Sequence, residues 1–293
     1  MTTPLKLDDI TIHPIIEQQG PFFDLLGFFP GLTKEMFEAN RSWLTPTFVD
    51  PQGPKLVLCI QSFLIRTSHH NILVDACVGN HKPRPTRPFW NMMNSDRFEK
   101  GLAAVDLTVG DIDYVMCTHL HGDHVGWNTR LDNGRWVPTF PKARYIMSGR
   151  ELAHWTQRET ENPQSVPWIT DSVLPIVAAR REQIVTSDFA FNENMRFIPT
   201  PGHTIDHFSV HVGRPGADAL ITGDMIHSPL QSKYPDLGMM GDYDSKQAGQ
   251  TRRQVFDRFS DERTVMFASH FPAPSTGRFR RAGDGYDFVP LTE

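Results

Sequence analysis

The chain has 293 residues, 39% hydrophobic and 22% charged, with a formal net charge of −5. That is enough to bury a sizeable core, as one large α/β domain or two small ones. The acidic balance argues against a nucleic-acid partner, which calls for a basic face, and no apolar run approaches the roughly 20 residues that span a bilayer.

Taken in chain order, the first residues carry Asp8 and Asp9 and no long apolar stretch, so no secretory leader is expected. Residues 55–60 and 62–66 read as strands, separated from Asn71–Val74 by the turn-like Thr67–His70, as in an antiparallel meander. Asp75 follows the last of these runs. Asp96 to Ala104 reads as a helix, with Phe98, Leu102 and Val105 at helical spacing, and Tyr114–Thr118 as a strand. After it comes His119-Leu120-His121-Gly122-Asp123-His124. Ala143–Met147 reads as a strand, and Ser148 as an N-cap with Glu151 completing a capping box, the helix running on through Leu152, His154 and Trp155. Residues 197–202 lead to His203, and Phe208–Val212 alternates like a half-buried strand. Residues 219–223 lead to Asp224, Gln247–Phe259 reads as a helix, and residues 264–269 lead to His270. Strands, helix, strands, helix recur in two halves, with no linker, repeat or low-complexity tract between them.

Four metal-binding side chains in six residues are the densest signal. Imidazole and carboxylate hold zinc, iron or manganese. The spacing does not fit one face of a helix or strand, and a loop closing around two adjacent ions explains it better. His203, Asp224 and His270, each at the end of a strand-like run, are ordinary singly; their recurrence carries the argument, because a sheet fixes position while loops carry chemistry. No GxSxG elbow, GxxxxGK phosphate loop or GxGxxG competes. Cys59, Cys77 and Cys117 form no CxxC pair and read as small buried hydrophobes, which suits a reducing, cytoplasmic setting. Arg278-Phe279-Arg280-Arg281 reads as a solvated surface patch.

With His119, His121, Asp123, His124, His203, Asp224 and His270 in that order, the chain resembles the metallo-β-lactamase-fold hydrolases over roughly residues 56–274. The resemblance implies an α/β fold, a four-layer αββα sandwich, as one domain over 1–293, with 1–50 an N-terminal extension that shapes the pocket or a dimer interface. It implies one metal on His119, His121 and His203 and a second on Asp123, His124 and His270, with Asp224 bridging. Zinc is expected, with iron, manganese or cobalt as alternatives. Asp75 sits where the superfamily keeps a carboxylate that orients a ligand histidine or the metal-bound water. The expected activity is hydrolysis by a hydroxide bridging the two ions.

The phrasing from Thr118 to Asn128 and from Gly223 to His227 is most similar to the quorum-quenching lactonases and the methyl parathion hydrolase group. N-acyl homoserine lactone lactonases carry a tyrosine three residues after the bridging Asp, where this chain has His227, as the methyl parathion hydrolase group does. The resemblance therefore implies a lactonase or carboxylic esterase, with a phosphotriester hydrolase as the alternative. An oxidoreductase or a thioester hydrolase on the same fold is more distant. Asp123, Asp224 and His227 are the candidate catalytic residues, His227 either donating a hydrogen bond or supporting the site. Phe22-Phe23, Phe28-Phe29, Phe89-Trp90, Met92-Met93, Trp155, Trp168 and Met239-Met240 are candidate walls for an apolar ester or lactone. The first two pairs are also the candidates for an arm of a homodimer.

Overall fold

The computed structural model describes residues 4–291. They divide into two compact units, residues 4–18 with 60–189 and residues 19–59 with 190–291. No helix among the described residues is long and apolar enough to cross a membrane.

Nine strands precede residue 186: β1 (Leu5–Leu7), β2 (Ile10–Asp24), β3 (Lys55–Arg66), β4 (Asn71–Val74), β5 (Tyr114–Met116), β6 (Thr129–Asp132), β7 (Arg135–Pro138), β8 (Arg144–Ser148) and β9 (Glu182–Val185). Seven form a sheet in the order β1-β2-β3-β4-β5-β8-β9, while β6 and β7 make a separate hairpin. The meander is as expected: β3 returns antiparallel into β4, through a turn in which the Thr67 hydroxyl accepts from the His69 and His70 amides. From β4 onward the pairing is parallel, so these strands end at one edge, where parallel sheets carry ligands. β4 delivers Asp75, β5 delivers Thr118 and the histidine motif, and β8 delivers Ser148. The Ser148 hydroxyl caps the helix Gly149–Glu161 by accepting from the Arg150 and Glu151 amides.

The second unit carries β10 (Ala190–Asn192), β11 (Met195–Pro199), β12 (Phe208–Arg214), β13 (Ala217–Ile221), β14 (Val265–Phe267), β15 (Thr276–Ala282) and β16 (Gly285–Pro290), hydrogen-bonded in sequence order. Only β13 and β14 are parallel, and the helix Ser245–Phe259 lies in the connection between them. Its Val255, Phe256 and Phe259 are buried with Leu220, Met266 and Phe271 in one apolar cluster.

The first 50 residues hold the largest surprise. β2 is 15 residues long although it contains Pro14, Gly20 and Pro21, residues that normally punctuate strands. A helix at Lys34–Leu44, capped by the Thr33 hydroxyl on the Met36 amide, was likewise hidden by its polar composition. Phe28 and Phe29 are buried in the second unit's own core, so they are not available as an interface arm; Phe22 and Phe23 pack half-buried against that core.

Candidate metal centre

In the first unit the histidine motif is braced from both sides. Asp75 is buried, with a left-handed backbone (φ 62°) that Asp tolerates better than most residues. Its carboxylate accepts from the Thr118 amide at 2.8 Å and from the Thr118 hydroxyl at 3.0 Å. It also lies 2.9 Å from His124 Nδ1. Because the Thr118 hydroxyl proton goes to Asp75, its oxygen accepts from His119 Nδ1, 3.0 Å away. Both histidines are thereby held in the tautomer that presents Nε2 as the lone-pair nitrogen.

His119 Nε2 and His121 Nδ1 lie 3.1 Å apart, near the ~3.3 Å that follows for two nitrogens on one tetrahedral zinc. Asp123 and His124 stand on a single helical turn, Gly122–Val125, with Asp123 Oδ2 3.8 Å from His124 Nε2. The Leu120 backbone is pinned by Trp168 Nε1 donating to its carbonyl at 2.7 Å and by its amide donating to Glu151 at 3.3 Å. Trp155, whose indole N–H also donates to Glu151, and Trp168 flank the His121 ring.

In the second unit Asp224 is the hub. Its Oδ2 lies 3.2 Å from His203 Nε2, 3.1 Å from His227 Nε2 and 3.1 Å from His270 Nε2. The donor atoms of Asp224, His227 and His270 all lie within 4.8 Å of one another. His270 donates from Nδ1 to the Cys59 carbonyl at 2.9 Å, and His203 Nδ1 lies 3.1 Å from Asp242. Burial works against a charged His203, yet the carboxylates of Asp224 and Asp242 outweigh it and raise this group to about 9. Two buried carboxylates that draw a proton onto a buried imidazole create the field that a metal cation satisfies. His227 goes the other way. Burial lowers it to about 4 against the pull of Asp224, so it is neutral at pH 7. Its Nδ1 has no hydrogen-bond partner among the described residues. Its ring stacks on His270 at 5.2 Å and meets the edge of Phe28 at 5.6 Å.

The metallo-β-lactamase superfamily profile matches residues 60–270, which is most of the chain and includes His119, His121, Asp123, His124, His203, Asp224 and His270. The chain belongs to the metallo-β-lactamase superfamily. A Bacillus subtilis (strain 168) protein, the uncharacterized YobT, is 30% identical over 126 residues, 42% of this chain and 50% of that protein. The chain thus aligns with only half the length of this curated relative. Among solved structures, the hydrolase AbOPH superposes with a TM-score of 0.82 at 22% identity, covering 99% of this chain and 97% of that one. The dizinc quorum-quenching lactonase AidC, in complex with a homoserine product, gives 0.81 at 19% identity over 99% and 97%. AiiA from B. thuringiensis gives 0.62 at 19% over 92% and 94%. At these identities the likeness speaks for the fold.

The expected metallo-β-lactamase fold, mixed α/β with two large sheets and flanking helices, is borne out. The superfamily is one of metal-dependent hydrolases, and its fold implies divalent metal binding. The donor set fits: imidazole and carboxylate only, with the histidines oriented through their other nitrogen. Two supporting residues were not foreseen. His207 accepts from the Asp224 amide at Nε2 (2.8 Å) and lies 2.7 Å from the Thr200 hydroxyl at Nδ1. Asp242 is the partner of His203. Each lies among other polar residues in a turn-rich stretch, 17 or 18 positions from Asp224, and no spacing rule singles it out.

Proposed function

We propose that this chain is a dinuclear metal-dependent hydrolase that opens lactones or cleaves carboxylic esters. His119, His121 and His203 would hold one ion and Asp123, His124 and His270 the other, with Asp224 shared; zinc is the first choice. The observation that carries this reading is the orientation of four imidazoles. His119, His124, His203 and His270 each have Nδ1 tied to an oxygen: Thr118, Asp75, Asp242 and the Cys59 carbonyl. That is how ligating histidines are prepared for a metal at Nε2. Divalent ions, when bound, bring the pKa of a water to about 7 and polarise a carbonyl oxygen.

The chain's own groups supply the rest. Asp123 and Asp224 place carboxylate oxygens beside the imidazoles. His227, neutral and packed against Phe28, is a hydrogen-bond donor for the developing oxyanion or the leaving oxygen. Phe28 beside His227, and Trp155 and Trp168 beside His121, support an uncharged, partly apolar substrate. Phosphotriester hydrolysis is the second reading, favoured by His227 standing where the lactonases have tyrosine. The same proposal takes the chain as one catalytic domain with residues 1–50 as an extension. Its three buried thiols support a cytoplasmic setting, and the exposed Trp43, Met92 and Met240 support pairing as a homodimer. Cell fractionation and sedimentation test these two points.

The deciding experiment compares kcat/KM for lactones, aryl esters, phosphotriesters, phosphodiesters and β-lactams in one defined metal form. Lactones with an apolar substituent are expected to lead, with charged phosphodiesters and β-lactams poor. Phosphotriesters ahead of every lactone and ester by tenfold, about 1.4 kcal/mol at the transition state, would overturn the order.

A further inference from the structure

Glu17 lies in the middle of β2 with its side chain almost fully enclosed, 1% exposed. A buried carboxylate is costly unless hydrogen bonds replace its water, and Glu17 is well supplied. Oε2 accepts from the Val78 amide at 2.9 Å, and Oε1 accepts from the Gly79 amide at 3.2 Å and from the indole N–H of Trp127. These three donors come from two segments that frame the metal loop. Val78 and Gly79 stand three and four residues after Asp75, the residue that holds Thr118 and His124. Trp127 follows directly on the turn that carries Asp123 and His124.

The two segments are also stitched to each other. The Ala76 amide donates to the His124 carbonyl at 2.7 Å, the Gly126 amide to Cys77 at 2.8 Å, and the Trp127 amide to Ala76 at 2.6 Å. They pass so closely that a Cβ on Gly79 (φ 78°) would come within 2.8 Å of the Gly126 carbonyl carbon, while one on Gly126 would run into the Val78 carbonyl. Cys77 between them is held at φ 42°, a conformation a β-substituted residue rarely keeps without support. Trp127 is further clamped by stacking on Phe98 at 4.9 Å. Glu17 therefore ties an N-terminal strand to both arms of this brace. Burial holds its carboxyl above the usual carboxylate range against the pull of its three donors, and the Asp123 charge adds to that.

We infer that Glu17 is a positioning residue for the metal loop. Its carboxylate holds the Val78–Gly79 arm and the Trp127 arm in register, so that Asp75, Asp123 and His124 keep the geometry a divalent ion requires. It touches neither substrate nor metal; it acts through Asp75 and His124, in the way that supporting partners of ligating histidines act elsewhere. The inference rests on the ligand assignment proposed above, and the experiment separates the two.

Cobalt(II) is titrated into chelator-stripped full-length protein and into the variants Glu17→Gln, Glu17→Asp and His124→Ala. Affinity is read by chelator competition, coordination geometry by the visible d–d spectrum, and fold by circular dichroism and thermal unfolding of the metal-stripped chain. Glu17→Gln keeps the shape but points an amide N–H₂ at an N–H donor. It should weaken binding of one of two cobalt ions by about 10- to 100-fold and alter that ion's spectrum, with native secondary structure retained. Glu17→Asp, which keeps both acceptor oxygens, should recover part of the affinity. If Glu17→Gln lowers the unfolding temperature while affinity and spectrum stay as in the parent, Glu17 is structural only and the inference is overturned. If His124→Ala still binds two cobalt ions with parental spectra, the ligand assignment itself fails.

Discussion

The Nδ1 atom of His270 lies 2.9 Å from the carbonyl oxygen of Cys59, 211 positions earlier in the chain. The Cys59 amide donates back to the His270 carbonyl at 3.0 Å. β3 thus sets both the tautomer and the place of the last histidine of the motif, whose Nε2 then faces Asp224. Mutations around Asp224 should accordingly be felt by several histidines at once.

Asp224→Ala removes the carboxylate that His203, His227 and His270 all approach. It should reduce metal content below two ions per chain and lower turnover by orders of magnitude. Inductively coupled plasma mass spectrometry and initial rates on the same preparation check this. Two retained ions, or full activity in stripped protein, would remove Asp224 from its shared role.

His227→Ala should lower kcat by roughly 10- to 1000-fold with metals retained, the range for losing a hydrogen-bond donor or proton-transfer group. An unchanged kcat assigns His227 to structure, and loss of metal makes it a support for Asp224.

In stripped protein His203 carries a pKa raised from 6.5 to about 9. A raised value means that the folded chain binds this proton more tightly than the unfolded one. The stabilisation is complete below pH 6.5 and is lost as pH rises through about 9. A metal that takes Nε2 must displace the proton. Metal addition near pH 7.5 should therefore release a proton that is absent near pH 10, measured by pH-stat titration. Equal release at both pH values would contradict the raised value.

Gly126→Ala places a methyl group against the Val78 carbonyl, where backbone rather than a flexible side chain stands in the way. We expect loss of soluble protein or a fall in unfolding temperature larger than that of Gly134→Ala. Gly134 has a positive φ (77°), unlike Gly126, but open space surrounds it, so the penalty there is about 1 kcal/mol of backbone strain. Thermal unfolding of both variants provides the comparison.

Legibility in the sequence followed distance along the chain. The histidine motif, the Ser148 cap and the strand ends that deliver Asp224 and His270 are encoded by neighbours a few residues apart, so their periodicity and spacing were readable. Asp242 supports His203 from 39 positions away, and Glu17 braces Trp127 from 110; both read locally as ordinary polar residues. Lys82 and Arg84 sit in a Pro-rich stretch that suggests exposure, yet both are buried around Asp171, Arg84 bridging it at 2.6 and 2.9 Å. Burial also lowers Lys82 to about 7 against the pull of Asp171. The β6–β7 hairpin had a local signal in Asn133-Gly134, whose positive φ values of 49° and 77° suit a two-residue turn, but strand periodicity around it is weak.

The stretch after Met239 adds a kinetic side to His203. Asp242 holds its imidazole, the Tyr243 amide donates to its carbonyl at 3.0 Å, and the Asp244 amide donates to Gly202 at 2.9 Å. Asp244 also caps the helix Ser245–Phe259 by accepting from the Gln247 amide. One short segment therefore anchors His203 and starts a helix. If His203 holds an ion as proposed, fraying of that first helical turn should loosen the grip on its imidazole and speed the exchange of that ion. Deuterium uptake at the Tyr243 and Asp244 amides would report that fraying directly.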